Sequence, residues 1–218
     1  MRRRTVAVIV LTVILALCLS GCSSAKGFSR AGVVEVAKDH GMARIENNGS
    51  IESLKSTLLF CKVSSYYVAK DKTDAQEIYD KFINEAGEYP KYTVDDVVII
   101  VPRENHVVTK DGVPEQYTQD GELILVVLGD EKSAEQCFEK LKQELPEMIN
   151  VPPVTGKKDG YQYGVSYSFT DTGKEKAGVY QKGKSVLVVF GNSYTDLNSS
   201  FADYIFKELG IVDPTEGK

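Results

Sequence analysis

The 218-residue chain contains no tryptophan and only two histidines, His40 and His106. Neither histidine stands in a metal-binding spacing such as H-E-x-x-H, so the sequence offers no support for a zinc site or a Ser-His-Asp triad. No phosphate-cradling glycine pattern precedes any helix candidate, and no catalytic set, metal set or cofactor motif is recognisable. Positive charge is in deficit, with 26 lysines and arginines against 31 aspartates and glutamates. An acidic domain repels phosphate backbones, which argues against a nucleic-acid partner. Cysteine is scarce as well, four residues in all, yet Cys18 and Cys22 stand close together in LALCLSGCSS, directly after an apolar run.

Met1 is followed by Arg2, Arg3 and Arg4 and then by an uncharged apolar run from Val6 to Leu19. A basic start and an apolar run too short for a comfortable membrane span have the layout of a secretion signal. An uncleaved membrane anchor shares that layout; the next four residues separate the two. Leu19-Ser20-Gly21-Cys22 resembles the lipobox of bacterial lipoproteins, an aliphatic residue and two small ones before a cysteine. The resemblance is confined to the start of the chain. It implies that the Cys22 sulfur receives a diacylglyceryl group, that residues 1–21 are removed as a signal peptide taking Cys18 with them, and that the new amino terminus is often acylated. Ser23 follows Cys22, where some lipoproteins of a Gram-negative inner membrane carry a retaining aspartate. Membrane lipid, reached through Cys22, is the expected partner, and the expected location is the extracytoplasmic face of the cell membrane.

Cleavage there removes three arginines and no acid, so the formal charge of −5 becomes three units more negative. Residues 22–27 form a small polar tether. At roughly 3.5 Å per residue it reaches only about 20 Å, which keeps the following domain, 28–218, near the lipid surface.

Three stretches read as strand, polar turn and amphipathic helix: SYYVAKDKTDAQEIYDKFINEA, LILVVLGDEKSAEQCFEKLKQEL and VLVVFGNSYTDLNSSFADYIFKEL. Ala75, Ile78, Tyr79, Phe82, Ile83 and Ala86 mark one helical face, and Ala134, Cys137, Phe138, Leu141 and Leu145 another. Thr73 with Gln76, and Ser133 with Gln136, have capping-box spacing. Two earlier helices are expected. One is capped by Ser29, stapled by Phe28 and Val33, and ended by Gly41; the other carries Ile51, Leu54 and Leu58. VVIIV, LILVVL and VLVVF are continuously apolar, as in strands covered on both faces. Gly121 and Gly129 bracket one such run as Gly183 and Gly191 bracket another, which suggests duplicated strand-strand-helix modules. The proline-rich segment 146–160 is the expected hinge between them. The fold expected is α+β, a mixed or antiparallel sheet with packed helices.

Few residues stand out chemically. Cys61 and Cys137 remain after cleavage, and an exported protein can bond such a pair; alternatively Cys137, beside Phe138 and Leu141, serves as a small apolar side chain. His106, next to Glu104 and Arg103, is either an acid–base group or part of a solvated turn after Pro102. Asp95 and Asp96 would hold a cation only with further carboxylates. The Asp-Gly pairs at Asp111, Asp120 and Asp159 lack a calcium-loop ladder and read as turns. In YQYGVSYSF, Tyr161, Tyr163, Val165, Tyr167 and Phe169 share one strand face. Exposed, Tyr161, Tyr163 and Tyr167 would bind sugar rings or a protein; covered, they would pack under helices. The expected function is a membrane-anchored, non-enzymatic binding or scaffolding module for an envelope protein or glycan. The alternatives are a hydrolase using paired carboxylates and a small solute-binding lipoprotein.

Overall fold

The computed structural model describes residues 28–46, 49–110, 112–170, 173–194 and 201–216. Nine strands form one sheet: β1 (Ala43–Arg44), β2 (Ser65–Val68), β3 (Val94–Val101), β4 (Arg103–Lys110), β5 (Val113–Leu128), β6 (Val154–Lys158), β7 (Tyr161–Thr170), β8 (Gly173–Lys182) and β9 (Ser185–Tyr194). Their order is β1-β2-β3-β5-β9-β8-β7-β6, with β4 pairing β5 alone. Only β1 and β2 run parallel, so the fold is α+β with a mixed, mostly antiparallel sheet.

The apolar runs lie in β3, β5 and β9 at the middle of this sheet, and both of its faces are covered. On one face, Val98, Ile100, Leu123, Leu125, Leu187 and Val189 meet α1 (Arg30–Asp39) and α5 (Phe201–Leu209). On the other, Val97, Ile99, Val126 and Val186 meet three helices. These are α2 (Ile51–Phe60), α3 (Lys72–Ile78, widening into a π-helical turn over Tyr79–Ile83) and α4 (Glu131–Ile149). The period of two in the strands assigns alternate residues to opposite cores, which is why the runs are apolar without interruption. Among the described residues no helix is long and apolar enough to cross a membrane.

Local signals explain most helix ends. Ser29 caps α1, accepting from the Gly32 N–H, and Gly41, at φ 69°, ends it. Ser50 caps α2. The expected capping boxes are displaced: Asp71 and Asp130 are the caps of α3 and α4, accepting from backbone N–H groups of residues 73–74 and 133. An aspartate carboxylate offers a charged acceptor to the first turn, and it prevails over the serine or threonine downstream. Gln76 is thereby released to bridge strand backbone, donating to the Tyr92 carbonyl at 3.1 Å and accepting from the Val94 N–H at 2.9 Å.

Two further expectations are corrected. Segment 146–160 is not a hinge: it holds the last turn of α4 and the edge strand β6, which pairs with β7 within the same sheet. Its prolines stiffen a short connection. His106 lies in a strand rather than a turn, because β4 and the first half of β5 pair over eight positions, from Arg103↔Asp120 to Lys110↔Val113. This ribbon is about 27 Å long at 3.4 Å per residue. Asp120 is accordingly inside a strand, whereas Asp159-Gly160, both at positive φ, forms the β6–β7 turn as expected; Asp111 lies outside the described residues.

Strand pairs β3–β5 and β8–β9 flank the sheet's middle, where Gly121 pairs with Gly191. A Cβ on Gly121 would come within 2.9 Å of the Phe190 carbonyl oxygen, and one on Gly191 within 2.7 Å of the Ala202 Cβ, so both glycines are fixed by close approach. The matched modules nevertheless send α4 and α5 to opposite faces.

Candidate functional site

Between α3, α4 and the sheet lies an apolar pocket of about 250 Å³. Its floor is Glu122, Ile124 and Val126 of β5 with Val186 and Val188 of β9; its walls are Cys137 and Leu141 of α4 and Phe82 and Ile83 of the π-turn. The π-turn is made by the Asn84 N–H donating to the Tyr79 carbonyl at 2.7 Å, five residues back. The buried Asn84 side chain then clamps the following loop, donating to the Tyr89 carbonyl and accepting from the Tyr89 N–H, both at 2.9 Å. That clamp places the Tyr89 ring at the pocket.

The polar groups here fall into two kinds. Tyr79 donates its hydroxyl to the Pro90 carbonyl at 3.3 Å and Tyr89 donates to the Glu144 carboxylate. Burial pushes both phenols well above the ordinary range, and it pushes the Cys137 thiol up to about 12. These groups stay protonated at neutral pH, and Cys137 is an unreactive thiol. Glu122 differs: among the described residues it is the only acid lining the pocket. Burial raises its carboxyl above the ordinary range against an opposing pull from Arg103.

A carboxyl with a raised folded pKa binds more protons folded than unfolded, so stability falls as pH rises from the ordinary value to the raised one. Glu122→Gln should therefore raise the thermal midpoint at about pH 8, and the gain should disappear by about pH 3. Identical melting at the higher pH would contradict this assignment.

The residues singled out in the sequence are elsewhere. Cys61 ends α2, partly exposed, while Cys137 is buried under α4; both are free thiols, so no disulfide joins them. The tyrosine row is not uniformly exposed. Tyr161 is buried and its hydroxyl accepts from the Val212 N–H at 3.0 Å; Tyr163 and Tyr167 are half-buried, and only Phe169 is largely exposed. Asp95 is the extra residue of a β3 bulge and pairs with Lys72 at 2.6 Å, whereas Asp96 pairs with Arg30 at 3.0 Å. His40 and His106 meet on one carboxylate, their Nε2 atoms 2.9 Å and 3.4 Å from the two Glu104 oxygens. The His40 ring also packs on Phe201 and Tyr204, so this cluster ties the end of α1 and the ribbon to α5. No group of three potential metal ligands occurs among the described residues. Cys22 lies outside them.

Sequence reasoning missed Glu122, although a signal existed: it opens an apolar strand in phase with Ile124 and Val126, whose side chains face α3 and α4. An open groove along α4 carries Glu135, Glu139 and Glu144, but Lys140 and Lys142 pair with Glu144 and Glu139 at 3.0 and 2.6 Å, as on a solvated helix face. No family model, curated protein or solved structure matches the chain.

Proposed function

We propose that this chain is a lipid-anchored binding protein of the extracytoplasmic membrane face, held by Cys22 and taking a small ligand into the pocket floored by Glu122. The pocket carries the reading: it is concave, mostly apolar, and offers one ionisable group able to orient an occupant. Its π-turn adds weight, since such turns are frequent at functional sites. A ligand present at about 100 times its Kd should stabilise the fold by about 2.7 kcal/mol, and Leu141→Trp, which fills the pocket, should remove that response. A ligand response that survives Leu141→Trp would place binding elsewhere.

Anchoring has its own test. Each buried methylene contributes about 0.8 kcal/mol, so two or three acyl chains hold durably where one does not. Cys22→Ala should move the protein from the membrane to the soluble fraction. Retention of the variant on membranes would refute lipidation at this residue.

A second reading, a scaffold for an envelope protein, is favoured by the exposed apolar residues Leu59, Phe60 and Val63 at the base of the ribbon, with Phe60 78 % exposed. Arg103 donates to the Leu59 carbonyl at 3.2 Å, which fixes α2 beside β4, and Val107 stands exposed farther along the same strand. Photocrosslinking from positions 60 and 107 in intact cells should capture one reproducible protein if this surface docks a partner. Capture at neither position would discard the scaffold.

A further inference from the structure

We propose that the pocket is selective for a small organic ammonium, with Glu122 as counter-charge and the rings of Tyr79, Phe82 and Tyr89 as the surrounding cage; this deepens, and rests on, the reading of the pocket as a ligand site. The volume comes first. About 250 Å³ is smaller than the roughly 300–1,000 Å³ of sites for drug-sized molecules, so the occupant is compact. Lining chemistry then decides its charge. An anion would be repelled by Glu122, and a neutral hydrocarbon would strip water from the carboxylate and give nothing back. A cation compensates the half-buried carboxylate directly.

The aromatic side chains point the same way. Because the hydroxyls of Tyr79 and Tyr89 are committed to Pro90 and Glu144, these residues line the pocket with ring carbons rather than with donors. Ring faces attract ammonium groups, most strongly where water is excluded. Tyr89 already does so on its outer side, where the Lys140 Nζ, which does not line the pocket, lies 4.9 Å from the ring centroid. Arg103 is the cation whose charge acts on Glu122, and it too lies outside the lining. Its pull is outweighed by burial, so the carboxylate is left under-compensated for a ligand to satisfy.

The test uses the full chain and two probes of the same shape, benzyltrimethylammonium and neopentylbenzene, which differ by a nitrogen cation in place of a carbon. Calorimetric titration should show the ammonium binding about tenfold or more tighter than the hydrocarbon, with Glu122→Gln removing that preference and sparing the hydrocarbon's affinity. Equal affinities for the two probes, both lost in Leu141→Trp, would overturn the ammonium selectivity while keeping the pocket as a binding site. Ammonium binding that persists in Leu141→Trp, or binding by neither probe, would overturn both. Glu122→Asp, which keeps the charge, should retain the preference; its loss there would also count against the proposal.

Discussion

Lys176→Met is expected to destabilise the protein by about 3 kcal/mol, near the low end for breaking a buried ion pair. Lys176, on β8, is nearly buried beneath α5, and its Nζ bonds the carboxylates of Asp203 on α5 and Asp213 in the segment after it. Methionine keeps an unbranched apolar stem but removes the ammonium, and with it the approach of Nζ to the Phe206 ring at 5.8 Å, so the loss reports chiefly the charge. What remains is two partly covered carboxylates deprived of the Lys176 ammonium. The low end applies because Asp203 and Asp213 keep 31 % and 19 % of their side-chain exposure. Burial alone would lower the Lys176 ammonium, but the hydrogen bonds and charges of both aspartates prevail and raise it. The stabilisation is therefore complete below the ordinary lysine value and lost as pH rises through the raised one. Urea unfolding at neutral pH is the measurement. A loss under about 1 kcal/mol would show the network behaving as a surface pair. Replacing all three residues by apolar ones should recover much of the deficit, since the desolvation cost leaves with the charges.

Phe138→Ala should cost still more, about 3–5 kcal/mol. Phe138 is 2 % exposed and lies on α4 with Ala134, Leu145 and Ile149 against the strands of the second half of the sheet. The Lys142 Nζ stands 5.2 Å from its ring centroid, an interaction also lost. Truncation leaves a void that close-packed neighbours fill only in part. Its position next to Cys137 and one turn before Leu141 puts that void beside the pocket. Denaturant unfolding should thus show the loss, and titration with neopentylbenzene in the Glu122→Gln background should show weaker uptake of the hydrocarbon. A stability change under about 1 kcal/mol would mean that α4 repacks freely over the sheet.

The strands of the core and all five described helices could be read from the sequence because each advertises a period: LILVVL and VLVVF the unbroken apolar run of a twice-covered strand, Ala134 to Leu145 the spacing of a helix face. The ribbon could not. None of the described side chains of RENHVVTK is buried, so no apolar alternation marks the strand. Its pairing is set by the turn around Gly112 and by continuity with β5. Asp71 and Asp130 were overshadowed by the serine and threonine that follow them, although aspartate is as good a cap. The two histidines are 66 positions apart; His106 reaches Glu104 from two places along β4, and His40 reaches it from the end of α1. Tyr161 shows the limit of face assignment: alternation gives the face, but burial depends on what lies over it, here Phe28 and the segment after α5. Glu122 shows the reverse, a polar residue whose phase was legible and whose surroundings were not.

β5 runs unbroken for sixteen residues, the outer half in the ribbon and the inner half between β3 and β9. Tension applied at the ribbon tip therefore runs lengthwise into the central strand. Its ladders lie across the direction of pull on both sides, so their hydrogen bonds must fail together in shear instead of opening one at a time. The ribbon is in that sense a handle bolted through the middle of the protein, passing load from its tip into the central sheet.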